Sequence, residues 1–400
     1  MKRSIVFLLL IIMSLPILAQ FKGDGFYRIQ NNSERKRYLS IANRKIDAVN
    51  KNALESGKAG NVFALKMIDN PVSDPGSIIY VMKDGDGYTL EAQGMNTSNL
   101  TGGLKLKIYT TSKGDWLYGT KSGTSRYLSD SDGTDGYIKV VGSSDRTKSQ
   151  AYWTLKSIDQ TNEYLGITPD ITIGDKYYTT LYVSFPFELS DGMKAYYISN
   201  DNTAAGGGLA ELKEINKKVP AETPVIIECS SQDPANNKII PLKPNQSPSQ
   251  ISDNKLKGVY FCYIKMSSKD PTKENENQEF TAIKNAVEYD AKTMRVLGLV
   301  DGKLGFVSAT DDQLVVTNKG KYLPANKAHL IVNASAPKSV ELLSPPDYQA
   351  GISNVVVDER PSSTKRGIYT LTGIKVREDN TTDNLQKGIY IINGKKITIK

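Results

Sequence analysis

Between Phe21 and Ile158 no apolar run extends far before Gly, Asn, Asp or Ser interrupts it. That punctuation argues against long helices and for short strands joined by tight turns. The strand-like runs fall into three sets. The first holds Phe26-Tyr27-Arg28-Ile29, Tyr38-Leu39-Ser40-Ile41 and Phe63-Ala64-Leu65-Lys66-Met67-Ile68. The second holds Ile79-Tyr80-Val81-Met82, Tyr88-Thr89-Leu90-Glu91 and Leu106-Lys107-Ile108-Tyr109. The third holds Trp116-Leu117-Tyr118, Tyr127-Leu128, Ile138-Lys139-Val140-Val141 and Trp153-Thr154-Leu155-Lys156-Ser157-Ile158. A unit repeated every 40 to 50 residues or so has no core alone and must pack on its copies.

Gly25-Phe26-Tyr27-Arg28-Ile29-Gln30-Asn31, followed by Arg37-Tyr38-Leu39, resembles the opening of ricin-type β-trefoil domains. Ala151-Tyr152-Trp153-Thr154-Leu155 resembles the closing strand of one of their repeats. The family's Gln-x-Trp signature is not intact: Gln150 stands three before Trp153, and the first unit has Asn61-Val62-Phe63. The resemblance implies a β-trefoil over residues 21–158 and a glycan ligand. An aromatic ring would stack on the sugar, and Asp or Asn would accept from its hydroxyls. On that basis the ligand-binding candidates are Trp116, Tyr118, Asp130, Asp132 and Tyr137, while Trp153 and most tyrosines read as core. The run Ser129 to Gly136 looks like a calcium loop, yet Val141 stands where a bidentate Glu is required, and Asp-Gly turn chemistry accounts for the same residues. No metal or cofactor is expected.

Residues 159–345 carry further short strands and no convincing helix, which predicts a β-sandwich. Two phrases echo there: Val219-Pro220-Ala221-Glu222-Thr223-Pro224-Val225-Ile226-Ile227 and Leu323-Pro324-Ala325-Asn326-Lys327-Ala328-His329-Leu330-Ile331. In each, a Pro-containing corner leads into a strand. The segment resembles uncharacterised β-sandwich modules of Bacteroidota surface proteins, which implies a place at the cell surface and no defined activity. Residues 346–366 are polar and mixed and read as a linker.

The tail, residues 367–400, nearly repeats itself. Gly367-Ile368-Tyr369 and Gly388-Ile389-Tyr390 each precede a turn signal, Thr372-Gly373 and Asn393-Gly394. Two β-hairpins are expected. The phrases resemble the C-terminal sorting modules of Bacteroidota type IX secretion, which implies the secretion machinery as a partner. At the other end, Met1-Lys2-Arg3 and the apolar run Ile5 to Leu18 predict a signal peptide over residues 1–20. No later segment is apolar enough to span a bilayer.

The chemistry open to the chain is narrow. It has one histidine, His329, in a strand pattern, and two cysteines, Cys229 and Cys262, read either as a disulfide or as two buried thiols. Its formal net charge of +8 includes Lys2 and Arg3 of the leader, and the basic residues are scattered, so nucleic acid is not expected as a partner. The fold class is therefore all-β: a β-trefoil-like domain, a central β-sandwich and a small hairpin module. The expected function is that of an exported, non-enzymatic binding protein holding a glycan or surface polysaccharide, outside the cell or in the periplasm. The alternatives are a structural or adhesive protein acting through the sandwich, and a glycoside hydrolase that needs no histidine.

Overall fold

The computed structural model describes residues 21–41, 63–66, 71–93, 95–96, 106–121, 123–132, 137–158, 163–259, 264–266, 280–282, 287–317, 320–353, 367–370, 375–379, 381–383, 385–392 and 395–399. The expected signal peptide and Cys262 lie outside the described residues. The architecture is all-β, with one short α-helix among the described residues. Residues up to Ser344 form one compact unit, and Pro345–Lys400 form a second.

The front third contributes β1 (Gly25–Asn31), β2 (Tyr38–Ile41), β3 (Phe63–Lys66), β4 (Ile79–Asp84), β5 (Gly87–Ala92), β6 (Met95–Asn96), β7 (Lys107–Thr111), β8 (Gly114–Lys121), β9 (Thr124–Asp132), β10 (Tyr137–Val141) and β11 (Trp153–Ser157). They make one sheet in the order β11-β8-β9-β10-β3-β2-β1-β4-β5-β6, with β7 on β8. The sheet curls back on itself, because β11 also pairs with β1 from Tyr27↔Ser157 to Asn31↔Trp153. The chain's first and last front strands thus seal each other. The tight turn between β4 and β5 needs a left-handed residue, and Gly85 supplies it at φ 62°. All three expected units feed one core: Ile29 and Leu39, then Val81, Leu90 and Leu106, then Leu117, Leu128 and Leu155. Trp153 is fully buried there and donates its indole N–H to the Leu128 carbonyl at 3.0 Å.

The expected boundary at residue 158 is crossed by close contacts. Ile78 packs into the core of the middle segment. The Phe26 ring meets Phe185 edge-on at 5.5 Å. Buried Arg28 donates to Ser77 Oγ at 3.2 Å and to the Val72 carbonyl at 3.0 Å, and it pairs with Glu163 at 3.1 Å.

The middle segment is built from a repeated motif. Strands Lys176–Leu181, Lys194–Asp201, Leu209–Ile215 and Val225–Cys229 pair in the spatial order first, fourth, second, third. Strands Leu256–Val259, Met294–Val300, Lys303–Val307 and Lys327–Ile331 repeat that order, all antiparallel. Ser339–Leu343 joins the two motifs edge to edge, parallel to Leu209–Ile215 and antiparallel to Lys303–Val307. The registers match as well. Ile226 pairs with Thr180 and Tyr196, and Leu330 pairs with Leu256 and Arg295. The two echoed corners share a backbone device: Glu222 at φ 56° and Asn326 at φ 57° are both left-handed. Both clasp one short segment, since Glu222 N–H donates to the Val183 carbonyl at 3.1 Å and Tyr182 N–H donates to the Asn326 carbonyl at 2.9 Å.

With Ile171–Ile173 added beside Lys176–Leu181 the sheet has ten strands, and it curls until its two end regions meet, with Ala328 N–H donating to Thr180 Oγ1 at 3.0 Å. A four-stranded sheet of Leu165–Gly166, Lys238–Pro241, Phe187–Leu189 and Lys218–Val219 accompanies it. Its Leu165, Phe187, Val219 and Ile239 pack on Val225 and Ile227. Ile226 faces the other way, into a core with Leu297, Phe306 and Leu330. A strand covered on both faces needs a continuous apolar run, which is what Val225-Ile226-Ile227 provides. The sandwich expected over residues 159–345 is thus a sandwich-like pair of curled copies.

In the second unit, α1 (Pro345–Ser353) occupies the start of the expected linker. Proline is tolerated in a first helical turn, and Asp347 complements the helix N-terminus. The tail forms a four-stranded sheet in the order Lys375–Arg377, Ile368–Thr370, Gly388–Ile392, Lys395–Ile399. The two Gly-Ile-Tyr phrases lie in adjacent antiparallel strands, with Ile368↔Ile392 and Thr370↔Tyr390, and Ile368 and Ile392 are buried. The expected turns at Thr372-Gly373 and Asn393-Gly394 lie outside the described residues.

Candidate functional site

Strands alternate their faces, so the inward-facing Leu117 sends its neighbours Trp116 and Tyr118 to the opposite side of the front sheet. The meander β7-β8-β9 sets further rings beside them. Tyr109 lies opposite Trp116 in register, and Tyr127 lies opposite Tyr118. Tyr109 stacks on Trp116 at 5.7 Å and 20°, and Tyr118 stacks on Tyr127 at 5.4 Å and 21°. Trp116 meets Tyr127 edge-on at 5.6 Å and also touches Tyr152 at 5.7 Å. The result is a continuous row, Tyr109, Trp116, Tyr127, Tyr118. Edge-to-face and offset-stacked pairs are the favoured aromatic geometries.

The row ends in water. Tyr127 and Tyr152 are buried, Trp116 and Tyr118 are half-buried, and Tyr109 is 55% exposed. Arg146 covers Trp116, with its guanidinium 5.2 Å from the ring centre. It also donates to the Tyr127 hydroxyl at 3.3 Å, and its own carbonyl accepts from the Trp116 indole at 3.1 Å. Lys107, opposite Tyr118 in register, pairs with Asp86 at 2.9 Å. The surface offers a broad ring at Tyr109, a hydroxyl-bearing ring at Tyr118 and a cation at Arg146.

Of the five residues expected from the sequence, Trp116 and Tyr118 come together on this face. Asp130 does not join them. Its side chain is fully buried and ion-paired to Arg37, with Arg35 at 3.7 Å and the Ser33 hydroxyl donating at 3.3 Å. The carboxylate is spent on holding β9 to the chain around β2. Asp132 and Tyr137 face each other as backbone partners at the start of the β9–β10 pair. Their side chains, and residues 133–136 of the calcium-like run, lie outside the described residues. Tyr109, Tyr127, Tyr152 and Arg146 were not anticipated. The tyrosine in Leu106-Lys107-Ile108-Tyr109 was visible as a strand residue, but its neighbour is set by pairing.

Among the described residues no group of three or more His, Cys, Asp or Glu is placed to hold a metal ion, and no helix is long and apolar enough to cross a membrane. Cys229 is a buried free thiol. Burial, with Asp170 adding to it, pushes its pKa up to about 12. Iodoacetamide at pH 8 is therefore expected to leave Cys229 unmodified in the native chain and to alkylate it after unfolding. Peptide mapping reads the result, and native labelling at Cys229 would contradict the packing. No protein-family model matches the chain, and no curated protein matches it in sequence.

Proposed function

We propose that this chain is an exported binding protein that holds a carbohydrate against the aromatic row of its front sheet. The observation that carries the reading is that row, four rings in contact with Tyr109 more than half exposed at its end. A sugar ring has one face of C–H groups, which gains dispersion and sheds water on a flat aromatic surface. Tyr118 and Arg146 supply polar groups for its hydroxyls. The three-set echo, the single core and the closure of β11 on β1 support a trefoil-like reading of this domain. Export rests on the basic and apolar leader and on the tail's likeness to sorting modules. The secretion machinery is the partner implied by that tail.

Tyr109→Ala is the cleanest variant, because the ring is exposed and leaves no buried gap. The full chain is expected to be retained on a subset of glycans in an array, and Tyr109→Ala to lose about tenfold in affinity, the worth of one aromatic contact. Absence of any glycan bound at millimolar ligand, or a variant that binds as well as the parent, would contradict the proposal. A structural or adhesive role is the second reading, favoured by the repeated four-strand motif with its edge-to-edge join.

A further inference from the structure

A cavity of about 790 Å³ opens at the seam between the two copies of the middle segment. Its walls are largely apolar, including Val259, Val296, Leu297 and Leu323, and Asp170 and Lys327 stand on one side. The volume falls in the range of sites that hold small organic molecules, and such sites favour junctions between domains.

His329 lines this cavity and is 4% exposed. Its Nδ1 has no hydrogen-bond partner among the described residues. Burial, reinforced by the positive charge of Lys257, pushes the ring's pKa down to about 4, so the imidazole is neutral at physiological pH. A neutral imidazole has one N–H donor and one acceptor nitrogen, and among the described residues no acceptor stands within hydrogen-bond distance of Nδ1 to favour a proton there. Nδ1 is then the acceptor with a free lone pair.

The duplicated motif shows what this position otherwise holds. Aligning the two left-handed corner residues sets His329 against Val225, and Leu330 against Ile226. Val225 is fully buried in the core of the first copy. The second copy carries a polar ring where the first carries a hydrocarbon. A buried acceptor without a partner is unfavourable and is expected where something else supplies the donor.

We propose that this cavity binds a small, uncharged, mostly apolar molecule that donates one hydroxyl or amide hydrogen to Nδ1 of His329. This site is separate from the aromatic row and independent of it.

The chain has a single histidine, so ¹⁵N-histidine labelling reports on His329 alone. The probes are 4-propylphenol and its methyl ether, which match in shape and differ in the donor. The phenol is expected to move the Nδ1 resonance saturably, and the ether to bind at least about tenfold more weakly, the order of one buried hydrogen bond. His329→Val installs the first copy's residue. It is expected to fold with unchanged or raised thermal stability and to bind phenol and ether alike. No saturable shift at millimolar phenol, equal binding of the two probes to the parent chain, or a destabilised His329→Val chain would each overturn the proposal.

Discussion

Asp130→Ala is expected to cost the chain about 3–5 kcal/mol of stability, because it strands a buried guanidinium. Arg37 and Asp130 have side chains 2% and 0% exposed. Arg37 Nε donates to one carboxylate oxygen at 3.0 Å, and Nη2 meets the other. The residues stand 93 apart in sequence, so the pair ties two distant parts of the front sheet together. Two charges brought out of water are compensated only while both are present. Removing both should therefore be milder than removing one. Asp130→Leu combined with Arg37→Met is expected to recover most of the loss. Urea denaturation with an unchanged m-value reads both effects. A single variant that loses less than about 1 kcal/mol would show the pair to be solvated in solution.

Gly258→Ala is the second substitution with a large expected effect. A Cβ at Gly258 would lie 2.0 Å from Cγ of Tyr182 and 2.3 Å from both Cδ atoms. Those atoms are the base of an aromatic ring rather than the far end of a flexible side chain. Tyr182 is also held through its backbone, since Asn326 accepts from its N–H at 2.9 Å and the Asn326 side chain donates to its carbonyl at 3.0 Å. The registers explain why glycine stands here. Thr180 pairs with Ile226 and Leu256 pairs with Leu330, so Tyr182 and Gly258 occupy equivalent places in the two copies. They meet face to face at the seam, where only one of them has room for a side chain. The expected cost is about 3 kcal/mol, at the upper end for overpacking. Tyr182→Ala in the same chain should relieve the clash. Chemical unfolding of the single and double variants reads both, and an unaltered Gly258→Ala chain would contradict the seam.

Most local features of this fold were legible in the sequence, and the contacts between distant segments were not. Leu117 between Trp116 and Tyr118 already put those two rings on one face, because strand alternation needs no partner. Tyr109, Tyr127 and Tyr152 joined them only through registers across β7, β8 and β9 and the chain leading into β11. Asp130 read as a ligand group through the trefoil resemblance, which implies an Asp accepting from a sugar's hydroxyls. Its burial depends on Arg37, far away in the chain. The repeated Pro-Ala corners were visible as text, but the left-handed residue that makes them equivalent is a matter of φ. The helix α1 was hidden by Pro345-Pro346, which signals a break inside a helix and is tolerated at its first turn. His329 was correctly placed in a strand pattern, yet its lack of a partner is a property of the packed seam.

The chain has two tryptophans, Trp116 in the aromatic row and Trp153 in the core. ¹⁹F NMR of the full chain labelled with 5-fluorotryptophan therefore gives two signals, assigned with Trp116→Phe. Titration with a glycan retained on the array is predicted to shift the Trp116 signal saturably and leave Trp153 in place. Saturable binding that moves neither signal, or that moves Trp153 alone, would contradict a carbohydrate site on this face.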